Sequence, residues 1–131
     1  MAAFLWACWD GGGNLPPSLG IARALNERGH SVHVFGRPDM IGRVEAAGVH
    51  ATELAESYTA LDRYASNPLP TVFGYTSSGL VGEELVGVVA REHPDVVVVD
   101  AMFSAALAVA PRFGRPTAVM LHTFLNNCLP M

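Results

Sequence analysis

Charge, cysteine and long apolar runs are all scarce in this sequence, and each shortage removes a class of function. Only 15% of the 131 residues are charged, and the acidic residues outnumber the basic ones for a formal net charge of −4. No basic cluster offsets that balance, so no nucleic-acid partner is expected. The two cysteines, Cys8 and Cys128, have neither metal-ligand nor redox spacing, which fits a reducing compartment and predicts no bound metal. Ala2 to Trp9 is apolar but has no basic flank and is too short for a signal peptide. No run approaches the length of a membrane span, and the expected location is cytoplasmic. One domain, 1–131, is the reading that length supports.

Several catalytic signatures are missing as well. The turn Gly11-Gly12-Gly13 resembles a dinucleotide fingerprint only until its sixth position, which is Pro16. Pro16 and Pro17 lack the N–H groups that would cradle a phosphate. No Gly-Lys-Ser/Thr completes a phosphate loop. Gly74 to Gly79 is one residue too long for a serine-hydrolase elbow and has no strand before it.

What is present is an alternation of strand and helix. Phe4 to Trp9 reads as a buried strand, and Leu19, Ala22 and Leu25 set a helical face from Ser18 onward, stopped at Gly29. Ser31 to Phe35 predicts a second strand, Asp39 to Ala47 a helix, and Val49 to Leu54 a third strand. Ala55 to Ser78 breaks this rhythm with Tyr58, Tyr64, Phe73 and Tyr75 among prolines, a long insertion of the functional or mobile kind. Its aromatics either line an apolar ligand site or anchor the loop to the core. Gly79 to Glu92 returns to helical spacing. Val96 to Val99 is a β-branched run suited to a central parallel strand covered on both faces, with Asp100 at its end. Met102 to Arg112 reads as a helix and Thr117 to Leu121 as a fifth strand. The fold class is therefore α/β, a Rossmann-like doubly wound parallel sheet of order 3-2-1-4-5, with both faces covered.

That order puts the switch point between the first and fourth strands, so Gly11 to Asn14 and Asp100 should face each other across the ligand crevice. Asp100 is either a helix cap, satisfied by the Met102 and Phe103 amides, or a functional acid. His122 leaves the fifth strand beside the same crevice, where an imidazole serves either as a general base or as a solvated or capping group. His30, His33 and His50 lie at the other end of the strands and read as structural.

Two stretches carry a family resemblance. Gly13-Asn14-Leu15-Pro16-Pro17-Ser18-Leu19, followed by Arg28-Gly29-His30-Ser31-Val32, resembles the opening of inverting natural-product glycosyltransferases of the GT-B fold, the UDP-glycosyltransferase-like and antibiotic macrolide glycosyltransferase family. Pro94 to Phe103 is similar to that family's second landmark, P-D-hydrophobic-D. The resemblance implies the acceptor-binding N-terminal half of a GT-B enzyme, acting on a lipophilic small molecule. The donor would be a UDP- or dTDP-sugar, held by a C-terminal domain or partner subunit that this chain lacks. The chain itself would then hold no cofactor and would be inactive alone.

Where the family has its catalytic histidine, this sequence has Asn14, which can hydrogen-bond an alcohol but cannot take its proton. The catalytic candidates are Asp100, Asn14 and His122. The acceptor-binding candidates are Gly13, Tyr58, Tyr64, Phe73, Met102 and Phe103. The alternative is a non-catalytic small-molecule or partner-subunit binding module of the same fold.

Overall fold

A computed structural model describes residues 1–62 and 74–122. Five strands, β1 (Ala3–Ala7), β2 (Ser31–Gly36), β3 (His50–Glu53), β4 (Val96–Asp100) and β5 (Thr117–Met120), form one sheet of order β3-β2-β1-β4-β5. All four pairings are parallel, with Trp6 opposite both Val34 and Val98. The helices are α1 (Leu15–Glu27), α2 (Pro38–Ala46), α3 (Ala55–Asp62), α4 (Gly79–Glu92) and α5 (Ser104–Val109), with a helical turn at 74–77 and a tight 3-10 turn at Ala110–Arg112.

The period-two alternation of the strands builds a core on each side of the sheet. Leu5, Ala7, Phe35, Val97 and Val99 pack against Val81, Leu85, Val88 and Val89 of α4 and Ala105 and Ala106 of α5. Trp6, Cys8, Val32, Val34 and Val98 face Leu15 and Ala22 of α1 and Met40 and Val44 of α2. Val97, Val98 and Val99 are buried, as a β-branched strand between two helical layers must be. Each such side chain contributes roughly 1.5–3 kcal/mol of burial free energy.

Three details differ from the sequence reading. First, α1 begins at Leu15 rather than Ser18, because its two prolines occupy the first turn, where a missing N–H costs no helical bond. Second, the predicted helix from Met102 to Arg112 is shorter: Pro111 cannot continue it, and its end tightens into the 3-10 turn. Third, among the described residues the sheet is not covered throughout: Thr117, Ala118 and Val119 of β5 are exposed, outside the helical layers that enclose β1 and β4. Tyr64, Phe73 and Cys128 lie outside the described residues.

Candidate functional site

The site stands at the carboxyl ends of β1, β4 and β5, where a parallel sheet opens its crevice. Asp100 ends β4 and is fully buried at 0% exposure. Its Oδ2 accepts a hydrogen bond from Asn14 Nδ2 at 2.9 Å and lies 2.6 Å from His122 Nε2. Its Oδ1 accepts from the Met102 amide at 2.9 Å, while the Phe103 amide donates to its backbone carbonyl at 2.9 Å. Three segments far apart in sequence thus converge on one carboxylate. A buried carboxylate needs this, since without donors its desolvation is unaffordable.

The prolines explain why Asn14 is free to reach it. Asn14 sits at the N-cap of α1, a position whose side chain ordinarily accepts from the second or third helical amide. Those positions are Pro16 and Pro17, which have no N–H, and the Asn14 side chain makes no cap bond. It turns instead into the crevice: Nδ2 donates to Asp100 and to the Trp9 carbonyl at 2.8 Å, and Oδ1 accepts from the Gly11 amide at 2.8 Å. Gly11 is required here. A Cβ would stand 2.6 Å from the Trp9 ring and 3.1 Å from Asn14 Oδ1. Asp10 braces the same turn by accepting from the Gly12 amide at 2.9 Å and pairing with Arg43 of α2.

His122 follows β5, and its side chain is nine-tenths buried. A carboxylate oxygen only accepts, so the contact at 2.6 Å places the proton on Nε2. Nδ1 is buried and has no hydrogen-bond partner among the described residues. Cys8, under the same turn, has its thiol pushed up to about 12 by burial and then by the Asp100 charge. It is no nucleophile at neutral pH.

The remaining candidates are dispersed. Gly13 is exposed in the turn. Met102 is exposed at 57%, whereas Phe103 is wholly buried, its ring 5.8 Å from that of Tyr75. Only Phe103 therefore joins the enclosed apolar wall beside Asp100. Tyr58, on α3, is half-buried, with the Arg37 guanidinium 5.8 Å from its ring centre. Sequence reasoning missed Arg37, which lies 5.6 Å from the Tyr75 ring as well. The signal for it was its place directly after β2, on the crevice side.

A cavity of about 290 Å³ lies at the opposite end of the sheet, lined by Phe4, Leu5, His33, His50, Glu92 and others. His33 and His50 stack there with ring centres 4.1 Å apart, and His33 Nε2 is 2.7 Å from Thr52 Oγ1. Burial, then the neighbouring His50, holds His33 below its ordinary range. Among the described residues no three His, Cys, Asp or Glu side chains cluster to hold a metal ion. No helix among them is long and apolar enough to cross a membrane.

Comparison with solved structures agrees with this fold. The chain is similar to the glycosyltransferase VinC, solved in complex with dTDP, at 22% identity and a TM-score of 0.73, covering 93% of this chain and 35% of that one. It is similar to SnogD from Streptomyces nogalater at 20% identity and a TM-score of 0.69, covering 91% of this chain and 33% of that one. The calicheamicin glycosyltransferase CalG4 matches at 23% identity and a TM-score of 0.65, covering 97% and 36%. At these identities the likeness is one of fold, that of the GT-B type, and the chain spans about a third of each structure's length. No curated protein matches the sequence. The profile of Glycosyltransferase Family 4 matches residues 19–128, and with most of its length inside that match the chain belongs to this family.

Proposed function

We propose that this chain is the acceptor-binding part of a GT-B glycosyltransferase, holding a lipophilic alcohol or phenol over Asp100 for transfer of a sugar from a nucleotide sugar. The observation that carries the proposal is the convergence of Asn14, His122 and the Met102 amide on the fully buried Asp100 carboxylate. An alcohol is a poor nucleophile until a base within hydrogen-bond reach takes its proton. With Asn14 unable to do so, His122 is the base. Asp100 fixes its tautomer through Nε2–H, and Nδ1 takes the proton of the acceptor hydroxyl. The acceptor oxygen then bonds to the anomeric carbon as the nucleoside diphosphate leaves with the electron pair of the broken bond. Asn14 holds Asp100 in place, and the developing imidazolium is stabilised by the carboxylate beside it. Phe103 forms the enclosed part of the apolar wall for the acceptor, with Tyr58 and Met102 nearer the surface; Tyr64 and Phe73 are proposed to complete it. A second, C-terminal domain or a partner subunit supplies the UDP- or dTDP-sugar, in a cytoplasmic enzyme of natural-product biosynthesis.

The non-catalytic alternative, a binding module of the same fold, is favoured by one observation: the glycine turn carries an amide rather than an imidazole. Calorimetric titration of the chain tests the binding half of the proposal. Phenolic aglycones should bind, and UDP- and dTDP-sugars should not. Binding of the nucleotide sugars with none of the aglycones would overturn it. In the longer enzyme, His122→Gln should lower kcat about a hundredfold with little change in KM. An unchanged kcat would overturn His122 as the base, and absence of any turnover in the longer protein would favour the binding module.

A further inference from the structure

We infer that the cavity at the amino end of the sheet is a second ligand site, in which His33 and His50 hold a small carboxylic acid with an apolar body. It lies at the other end of the strands from Asp100 and does not depend on the acceptor-binding reading.

The cavity follows from how far α4 reaches. Parallel register sets Leu5 beside His33 and His33 beside His50, one row across β1, β2 and β3. Period two puts Ala3 on the face of Leu5, the face that packs against α4. Burial falls off along the row: Leu5 is 1% exposed, His33 is half-buried and His50 is exposed. The helix stops at Glu92, and Glu92 and Pro94 wall the space of about 290 Å³ that opens over the row. That volume is near the lower end of the range that small-molecule sites occupy, about 300–1,000 Å³. A parallel sheet ordinarily carries apolar side chains on both faces, which makes two imidazoles side by side unusual.

The polar groups around this cavity are not equally free. The Glu92 carboxylate already accepts from Arg91 Nε at 3.0 Å, so the acid brings its own counter-ion. His33 uses Nε2 on Thr52 Oγ1 at 2.7 Å. No hydrogen bond among the described residues engages His33 Nδ1 or either ring nitrogen of His50. The two rings stack with centres 4.1 Å apart, so a proton on one opposes a proton on the other. Burial is the largest obstacle to a charge on His33; His50 of β3 and Arg91 of α4 add to it, and Glu92 of α4 opposes them. A carboxylate laid against both rings supplies the negative charge that the pair lacks and accepts an N–H from each. Its apolar remainder lies on Ala3, Leu5 and Pro94. Binding therefore takes up a proton from solvent onto the imidazole pair and strengthens as the pH falls. An ammonium finds only a carboxylate already paired and two rings without negative charge.

Three probes with a cyclohexyl body and different polar heads test this: cyclohexylacetate, cyclohexylacetamide and cyclohexylethylammonium. Titrated into the chain at about pH 6, the carboxylate should bind about tenfold more tightly than either of the others. Its affinity should fall about fivefold by about pH 8, with a calorimetric heat that changes with the buffer as protons are taken up. The imidazole signals of His33 and His50 should shift in NMR spectra while those of His122 stay in place. His50→Gln keeps a polar side chain on the exposed edge but never charges. It should weaken the carboxylate about fivefold and flatten the pH dependence. The amide or the ammonium binding as tightly as the carboxylate overturns the proposal. So does carboxylate binding that leaves the His33 and His50 signals unmoved, or that ignores pH or His50→Gln. Binding of none of the three at millimolar concentration overturns it too. None of these outcomes bears on the acceptor reading, which the aglycone titration tests.

Discussion

The two ends of the sheet are built from the same strands yet hold polar groups in opposite ways. At the carboxyl end a carboxylate is buried completely, and its side-chain hydrogen bonds come from three segments: the turn after β1, the turn after β4 and the second residue after β5. At the amino end half-buried His33 and exposed His50 stack beside a cavity of about 290 Å³, with Glu92 and Arg91 near enough to influence the charge of His33. Volume alone would point to the amino end. Convergence of partners on a buried carboxylate supports the proposed site at the carboxyl end, because perturbed and desolvated groups gather at functional sites. Parallel strands make the asymmetry systematic. All their carboxyl ends point one way, so loops of different origin meet there.

The largest test of the contrast is removal of its centre. Asp100→Ala leaves the Asn14 amide, the Met102 N–H and His122 Nε2 without their acceptor, and should cost about 3–5 kcal/mol in denaturant unfolding. A loss below 1 kcal/mol would mean that the carboxylate is no more embedded than the histidines at the far end.

Asn14→His comes next, and it installs the histidine that the sequence resemblance leads one to expect there. The amide meets three partners, donating to Trp9 O and Asp100 and accepting from the Gly11 amide. An imidazole has two ring nitrogens and cannot serve all three. The expected loss is about 1–2 kcal/mol, with no gain in transfer rate in the proposed longer enzyme, since His122 already meets the same oxygen, Oδ2, of the carboxylate. A rate increase would show that the turn, not β5, is where the base belongs.

How much of this was legible beforehand follows from the kind of signal each part carries. The strand order and the meeting of Asn14 with Asp100 follow from the alternation of β-branched runs with helical faces, because handedness leaves few ways to wind such a chain. The role of Pro16 and Pro17 was only half visible. They read as an obstacle to phosphate binding, whereas in the fold they also release the Asn14 side chain from capping. Arg37 and Tyr75 are invisible as a pair in sequence, since a cation and a ring 38 residues apart announce nothing until the end of β2 and the turn at 74–77 come together. The exposure of β5 also escaped, because a short apolar strand looks the same in sequence whether covered or not.

At the amino end the comparison is sharpened by pH. His33 has its pKa lowered from 6.5, so the unfolded chain takes up a proton before the folded one does. Its contribution is complete above pH 6.5 and is lost as the pH falls through the lower, folded value. His33→Gln, which can still meet Thr52 but never charges, should match the wild type above that point and lose less stability below it. Superimposable pH profiles would assign the acid sensitivity elsewhere.

The smallest effect is expected where an ion pair is fully exposed. Arg112 holds the Glu83 carboxylate in a two-pronged contact between the 3-10 turn and α4, and that hydrogen bond lowers the Glu83 pKa. The contribution is present above the ordinary carboxylate range and lost as the pH falls through the folded value. Both groups lie in water, where salt screens the attraction and ordering two long side chains offsets the remainder. Glu83→Gln should therefore leave the unfolding midpoint unchanged at physiological salt, with any difference confined to low ionic strength. A loss as large as that of Asn14→His would mean that this surface junction matters to the fold as much as the buried carboxylate network. The distinction between a rim organised around Asp100 and an ordinary surface would then fail.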